Sequence, residues 1–551
     1  MNDHCKKPCD QSQQHVRSAE SAHSTLSTLH TLEARRRWLL QAGALASSVS
    51  LPLWAPGAFA QSSSALNALP RVALIIGNSK YIEAPLRNPG NDAKGIAGEL
   101  QKMGFQVNLK LDAGRNEMIE AIRGFGAELG KKKGIGMFYY AGHGAQLAWK
   151  NYLIPVDAVI DRIEDMQTKT VELNALLEGL IKAQNPMNVI ILDACRDNPF
   201  GNKAHTQQKG LSQFDAPPGS LLAYATSPGN TAADGEGANG LYTENLLREL
   251  KVPEAKIEDV FKRVRLNVRR KSEGQQIPWE STSLEDDFYF LPPQHIRKLS
   301  EAELEKLFNA ELAIWEKIKE SKEPGPFEEY LRKNPSGRFS ELAQFQLDRA
   351  LAKLGEKKIE VVSAPENPFT KGNARIDTQF KIGDSYSYRE IDLYTQIELR
   401  KFRNLVTEIT DNEVIFNKGV LITDLFGNLA KVPNGNRYSG AQFFIPEYSV
   451  GKKWTTRFKV ITPGGVTNET EYEFKVVARE QVVVPAGTFD AYRVEGQGWT
   501  SLANGSSLNL QNTYWVSSAI RRPVVNEIKR KHSSGKVLNN ERSELTAYLQ
   551  Q

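Results

Sequence analysis

The sequence predicts an α/β protein: a mainly parallel β-sheet flanked by helices, followed by a small α-helical module and a C-terminal antiparallel β domain. Three observations support this prediction. Continuous apolar runs alternate with helix-like segments from residue 71 to about 290, as in parallel sheets covered on both faces. Amphipathic helical patterns follow Pro292 and Pro293. From about residue 375 the apolar residues recur with period two, between Gly, Asn and Pro turns.

The first part, which we assign to residues 68–291, contains six predicted strands. The strand at 71–78 (RVALIIGN) is a continuous apolar run that ends in a turn, as a buried parallel strand does. Ligands of such sheets bind beyond the carboxyl ends of the strands, so we expect the chemistry there. The other predicted strands are 105–111, 135–144, 187–197, 220–229 and 285–291. The predicted helices are 91–104, 116–129, 171–183, 241–250 and 256–272.

Two further regions follow. In the predicted helical module, residues 296–356, Ser300 and Glu303 have the spacing of a capping box at the start of a helix. Two shorter helices are predicted near 326–333 and 338–354. Residues 372–551 form the predicted β domain, in which we identify no metal cluster, phosphate loop or nucleophile arrangement. This domain is a candidate for binding an envelope partner.

Composition narrows the functional classes. The 551 residues are 40% hydrophobic and 25% charged, which is ordinary for globular proteins. The net charge of +5, from 70 Lys and Arg against 65 Asp and Glu, gives no reason to expect nucleic acid as a partner. Three cysteines exclude a disulfide-stapled scaffold and an all-cysteine metal site. We expect no cofactor.

Residues 1–60 are typical of an export signal. Arg35, Arg36 and Arg37 precede an apolar run, and Ala58-Phe59-Ala60 offers the small-x-small pattern that a signal peptidase accepts. The Arg-Arg-x-aromatic-Leu arrangement resembles the bacterial twin-arginine signal, which predicts a periplasmic or secreted protein. The run is too short and too interrupted for a stable transmembrane span. An N-terminal membrane anchor is the alternative interpretation.

Cleavage after Ala60 would leave Cys195 as the one cysteine of the mature chain. Cys195 and His143 each lie where a predicted strand ends, and a thiol needs a base such as histidine to become a thiolate near neutral pH. The backbone N–H groups of Gly144 and Cys195 are candidates for binding an oxyanion. A buried structural cysteine and a hydrogen-bonded structural histidine are the alternatives that the residues alone leave open.

Several motifs resemble those of the caspase-like cysteine peptidases, and in particular the bacterial caspase-family and metacaspase or orthocaspase branch. YYAGHG contains His143, and LDACRDNPF contains Cys195. The segments RVALIIGNSKY, NDA at 91–93, NYLIPVD and IPWESTSLEDDFYF also fit that branch. The resemblance covers roughly residues 70–291. It implies the caspase-hemoglobinase fold and a Cys–His dyad, with His143 as base and acid and Cys195 as nucleophile.

The same resemblance implies a preference for basic residues. Metacaspases have acidic residues near the nucleophile and cut after Arg or Lys, so Asp193 and Asp92 are the expected lining of the primary specificity pocket. Two carboxylates in a partly desolvated cleft favour a guanidinium or ammonium group. A residue near a helix N-terminus is the alternative interpretation of Asp92, and a strand-end hydrogen bond is that of Asp193.

Two loops carry further candidates. Lys203 and Lys209 lie in the polar segment 198–219, where caspase-like peptidases can be processed, and they are candidate self-cleavage sites; an unprocessed surface loop is the alternative. Asp234 and Glu236 lie in a Gly- and Asp-rich loop at 228–240. Their carboxylates suit calcium, but the spacing of an EF-hand is absent, so the sequence does not support a calcium site.

Taken together, these features predict an exported cysteine endopeptidase that cleaves protein or peptide substrates after Arg or Lys through a Cys–His dyad. The competing hypothesis is a non-catalytic envelope scaffold or peptide-binding protein with a degenerate peptidase domain. The dyad favours the enzyme, whereas the helical module and the β domain, with more than 250 residues together, favour the scaffold.

Overall fold

The first part of the chain is built around one eight-stranded sheet. The computed structural model describes residues 66–195, 211–212, 214, 216–227, 237–284, 286–293, 299–356, 374–375, 377–503 and 505–551. The strands are β1 Arg71–Gly77, β2 Phe105–Leu111, β3 Ile135–Leu147, β4 Lys150–Leu153, β5 Val171–Glu172, β6 Met187–Cys195, β7 Ser220–Tyr224 and β8 Trp279–Thr282. The six main strands follow the order β2-β1-β3-β6-β7-β8 across the sheet.

Five of the six main strands are parallel, which confirms the predicted fold class. Strand β8 pairs antiparallel with β7, and β4 and β5 form a small side ribbon on β3. The helices that cover the sheet are α1 Pro89–Lys102, α2 Arg115–Lys132, α3 Asp165–Lys169, α4 Leu173–Ala183, α5 Leu241–Glu249 and α6 Ile257–Lys271.

Alternating side chains of the strands supply two hydrophobic cores. Ala73 and Ile75 of β1 face the core shared with α1, α5 and α6, whereas Val72, Leu74 and Ile76 face the core shared with α2 and α4. Because both faces are covered, the strands read as continuous apolar runs in the sequence. Because β1, β3, β6 and β7 are parallel, their carboxyl ends lie at one edge of the sheet.

The predicted strand at 285–291 is wrong. The final strand is Trp279–Thr282, and Tyr289 forms only an isolated bridge with Lys256. Phe288 and Phe290 are buried in the core that also holds β1, and their rings lie edge to face at 5.3 Å. The period-two pattern of these two residues therefore reflects packing of an irregular segment onto the core.

Three helices follow, α7 Glu301–Ile318, α8 Pro324–Lys333 and α9 Ser340–Lys353. The predicted capping box is confirmed, since Glu303 N donates to the Ser300 hydroxyl and Ser300 N donates to the Glu303 carboxylate. The rings of Trp315 and Phe339 stack at 5.5 Å within the helical core. Arg269 of α6 joins the helices to the sheet region, because its guanidinium binds Glu356 and Asp348.

The C-terminal region is a closed antiparallel barrel of twelve strands, which confirms the predicted antiparallel β domain. Its strands are β10 Ser385–Asp392, β11 Glu398–Ile409, β12 Glu413–Phe416, β13 Leu421–Asp424, β14 Leu429–Lys431, β15 Arg437–Ser439, β17 Lys453–Ile461, β18 Thr467–Val484, β19 Gly487–Ser501, β20 Ser507–Val516, β21 Val525–His532 and β22 Val537–Leu549. The barrel closes where β10 pairs with β22. Strands β9 Ala374–Arg375 and β16 Glu447–Tyr448 pair separately.

Candidate functional site

His143 and Cys195 lie side by side at the carboxyl edge of the sheet. Strands β3 and β6 are parallel neighbours, and their register pairs His143 with Cys195 and Ala141 with Asp193. The backbone of Cys195 belongs to β6, but its side chain lies outside what the structure describes. The structure thus brings together, at the level of the backbone, the two strand ends that the sequence predicts to be adjacent.

The imidazole of His143 is buried and held by the loop that follows β1. Only 5% of the residue is exposed. Nε2 lies 2.7 Å from the backbone oxygen of Ala84, and the ring centre lies 4.4 Å from that of Tyr81. A carbonyl oxygen can only accept a hydrogen bond, so Nε2 must carry a proton. In the neutral imidazole Nδ1 is then the basic nitrogen.

The loop that holds the imidazole is itself fixed at its start by Asn78. The buried side chain of Asn78 donates to Ile154 O (3.2 Å) and accepts from Ala113 N (2.9 Å). The backbone N–H of the same residue donates to Ala141 O. The backbone N–H of Leu86 closes the loop on Ser79 O at 2.9 Å. The loop therefore presents the Ala84 carbonyl from a backbone anchored to three neighbouring segments.

The backbone N–H of Gly144 points away from the side ribbon. Gly144 is aligned with Leu153 of β4, and Ile154 N donates to His143 O at 3.1 Å. That bond makes Gly144 and Leu153 a non-hydrogen-bonded pair, in which the N–H groups face outward from the pair. A Cβ atom on Gly144 would lie 3.0 Å from Leu211 Cδ2, so a larger residue would crowd this position.

Asp193 lies two residues before Cys195 and is half-buried. Its Oδ2 accepts hydrogen bonds from the Thr243 hydroxyl at 2.6 Å and from the Tyr139 hydroxyl at 3.1 Å. Thr243 lies on α5, so the carboxylate sits between the end of β6 and the start of that helix. The strand-end hydrogen bond that the sequence left open as an alternative is thus present, and it orients the carboxylate.

Asp92 lies in the first turn of α1 and is almost fully buried, with 3% of its surface exposed. Its Oδ1 accepts from Asn239 Nδ2 at 2.8 Å and from Gly240 N at 3.0 Å, which ties the start of α5 to α1. Burial above all, and then the carboxylates of Asp193 and Asp92, raise the pKa of Tyr139 well above its usual value. Asp193 therefore accepts a hydrogen bond from a buried, neutral phenol, and Asp92 acts on the same phenol through its charge.

Other predicted residues lie outside the described parts of the chain. These are the export signal at 1–60, the candidate self-cleavage sites Lys203 and Lys209, and the loop residues Asp234 and Glu236. Within the described ranges, no group of three or more His, Cys, Asp or Glu residues is arranged to hold a metal ion. Among the helices described, none has the length and apolarity needed to cross a bilayer.

Several residues of the site were not identified from the sequence, among them Tyr139, Tyr81, Ala84 and Thr243. Tyr139 directly precedes the YAGHG segment. A hydroxyl-bearing residue within a continuous apolar strand indicates a buried polar contact, so this residue could have been identified from the sequence. Tyr81 and Ala84 lie in an irregular loop that folds back on a strand about sixty residues later, and Thr243 contacts a residue fifty positions away. Contacts between residues this far apart along the chain leave no periodic pattern in the sequence.

The comparisons with known proteins agree with this geometry. The family model for the caspase domain matches residues 70–289. Mucosa-associated lymphoid tissue lymphoma translocation protein 1 of Homo sapiens and its homolog of Mus musculus are each 34% identical to this chain over 129 residues. The match spans 23% of this chain and only 15% of either relative. Residues 70–289 are thus a caspase-like domain, which is a domain of the cysteine-peptidase kind.

Proposed function

We propose that the protein is an exported cysteine endopeptidase that cleaves its substrates after Arg or Lys, with His143 and Cys195 as the catalytic dyad. The observation that carries this proposal is the register of β3 and β6, which aligns His143 with Cys195 at the carboxyl edge of a caspase-like sheet. A nucleophile and its base must be close in space, and in this register the two residues are neighbours on adjacent strands.

The contact between His143 and Ala84 supports one direction of proton transfer in the proposed dyad. Because the Ala84 carbonyl holds Nε2–H, Nδ1 takes the proton from the Cys195 thiol. The thiolate attacks the carbonyl carbon of the scissile bond, a C–S bond forms, and the carbonyl electron pair moves onto oxygen. The C–N bond then breaks, and His143 gives its proton to the leaving amine. Water hydrolyses the thioester by the same route and releases the carboxylic acid and the thiol.

The backbone supports stabilisation of the oxyanion. The N–H of Gly144 is directed away from β4, and the N–H of Cys195 belongs to the neighbouring strand end. Loss of one oxyanion donor typically slows turnover by about 10²–10³-fold. Since both donors are main-chain groups, they need no rearrangement when charge develops on the substrate oxygen.

The preference for basic residues rests on Asp193 and Asp92. Asp193 is the more exposed of the two and lies two positions before the nucleophile, so we assign it direct contact with the substrate cation. Asp92 is buried and bonded to the backbone that precedes α5, so we assign it the support of the pocket wall. Hydroxyl, amide and backbone N–H donors orient the two carboxylates.

The export assignment rests on Arg35 and Arg36 and on the Ala58-Phe59-Ala60 sequence. Replacing both arginines with lysine retains the charge but removes the paired guanidinium groups. We expect this variant to stay in the cytoplasm, whereas the unaltered protein reaches the periplasm and begins at Gln61. Cell fractionation and N-terminal sequencing measure both outcomes. Unchanged periplasmic yield of the lysine variant would contradict the twin-arginine route.

A peptide library tests the activity itself. The chain from Gln61 onward should cleave peptides after Arg and Lys and leave peptides with Asp at that position intact. Cys195→Ala and His143→Ala should lose this cleavage while retaining the circular dichroism spectrum and melting temperature of the unaltered protein. Cleavage by Cys195→Ala above a few per cent of the original rate would refute the nucleophile. Absence of cleavage by the unaltered protein would favour the non-catalytic scaffold.

A further inference from the structure

Two buried phenols bind the backbone of His143 from one side. The Tyr81 hydroxyl accepts a hydrogen bond from His143 N at 2.8 Å, and the Tyr140 hydroxyl donates to His143 O at 2.6 Å. The two hydroxyl oxygens are 3.3 Å apart. Side-chain hydroxyls thus hold both main-chain polar groups of the proposed base, at the point where β3 ends its pairing with β6.

Gly142 is the residue that permits this approach. Its φ of +155° is one that L-residues rarely adopt. A Cβ atom at this position would lie 2.4 Å from the Tyr81 hydroxyl oxygen and 2.8 Å from that of Tyr140. These distances are too short for non-bonded atoms, so the glycine before His143 makes room for both hydroxyls.

Tyr81 also contacts the imidazole itself. Its ring lies 4.4 Å from the imidazole centre with an interplanar angle of 55°. Three residues further on, Ala84 has a φ of +53°, an uncommon left-handed conformation for alanine, and presents the carbonyl that binds Nε2. One short segment therefore fixes the backbone, the ring face and the protonated nitrogen of His143.

We propose that Tyr81 and Tyr140 are positioning residues that set the geometry, and through it the basicity, of His143. This inference rests on the proposed function, because it concerns the base of the same dyad. Without the Tyr81 hydroxyl, the N–H of His143 loses its 2.8 Å partner in a buried environment, and the histidine backbone loses one of the bonds that fix its position. A displacement of about 1 Å in a catalytic group can cost about a hundredfold in rate.

The variants Tyr81→Phe and Tyr140→Phe test the proposal, since each removes one hydroxyl and keeps the ring. We expect kcat to fall at least tenfold with KM changed less than twofold. We also expect the midpoint of the pH dependence of Cys195 alkylation by iodoacetamide to move to higher pH, because a displaced imidazole stabilises the thiolate less. A role confined to folding would lower the melting temperature without moving this midpoint.

Tyr152→Phe is the matched control, because Tyr152 is a buried tyrosine of the adjacent strand β4. It should retain the kcat and alkylation profile of the unaltered protein. If Tyr81→Phe does not fold, Tyr140→Phe carries the test, since its hydroxyl binds the same residue. If both tyrosine variants have the kcat and the alkylation midpoint of the unaltered protein, and His143→Ala is inactive, this inference is overturned and the proposed dyad is not. An unaltered protein that shows neither cleavage nor pH-dependent alkylation would overturn the dyad as well.

Discussion

Two carboxylates of the C-terminal region and two at the carboxyl edge of the sheet are held by different side chains. In the barrel, Asp384 is fully buried and receives the guanidinium of Arg521 at 2.5 Å, and Asp377 receives the same side chain at 2.8 Å. At the sheet edge, hydroxyl and amide donors orient Asp193 and Asp92. The ion pairs of Arg521 join residues that are 144 and 137 positions apart, so they serve the folded structure of the C-terminal region. At the sheet edge the hydrogen bonds fix the orientation of Asp193 and Asp92, which the proposed recognition of a substrate cation requires.

Arg269 joins the sheet region to the helical module, and its removal should produce the largest effect. The guanidinium Nε donates to Glu356 at 2.9 Å, and other nitrogens of the group bind Glu356 and Asp348. Truncating one partner of a buried ion pair costs about 3–5 kcal/mol. Arg269→Ala should lower the free energy of unfolding by about this amount and separate the calorimetric transition into two.

The control for this change is Arg332→Ala. Arg332 and Glu329 form an exposed pair on α8, and exposed pairs contribute about 0–1 kcal/mol. A single transition with unchanged midpoint in Arg269→Ala would mean that the sheet region and the helices are coupled by other contacts.

Asp193→Asn should give the next effect, and it falls on specificity. Loss of one partner of a buried charged pair costs about 2–5 kcal/mol, which is roughly a thirtyfold to several-thousandfold decrease in rate. We expect kcat/KM to fall by at least about thirtyfold for Arg peptides and much less for peptides with a neutral residue. Steady-state kinetics with matched peptides measures the ratio.

Asp92→Asn provides the comparison within the pocket. Because its Oδ1 holds Asn239 and Gly240, this variant should affect Arg and neutral peptides alike. Equal losses for both peptides in Asp193→Asn would remove Asp193 from the assigned contact and return it to a structural role.

Gly498→Ala should give a smaller effect, confined to the barrel. A Cβ atom at Gly498 of β19 would lie 2.1 Å from the backbone oxygen of Glu471. Overpacking of this kind typically costs about 1–3 kcal/mol. We expect a lower melting temperature with unchanged kcat, and Gly464→Ala, whose Cβ would meet no atom closer than 4.0 Å, should change neither. A loss of kcat in Gly498→Ala would show that the barrel contributes to the site.

The sequence allowed the strand ends of the site to be predicted, but not the loops that complete it. His143 and Cys195 follow continuous apolar runs, and parallel strands bring their carboxyl ends to one edge, so their proximity follows from pattern and topology. Phe288 and Phe290 mimic a strand because they alternate, yet they pack on the core without forming a ladder. Tyr81, Ala84 and Thr243 reach the site through tertiary contacts that local propensity does not encode.

The most direct test of the dyad is labelling by a peptide chloromethylketone with Arg next to the reactive group. The reagent alkylates the thiolate that His143 generates, and general-base assistance is typically worth about 10²–10⁴-fold in rate. We expect one modification, located at Cys195 by mass spectrometry, with a rate at least about a hundredfold lower in His143→Ala. Equal labelling rates in the two proteins, or absence of label at Cys195 in the unaltered protein, would contradict the proposed dyad.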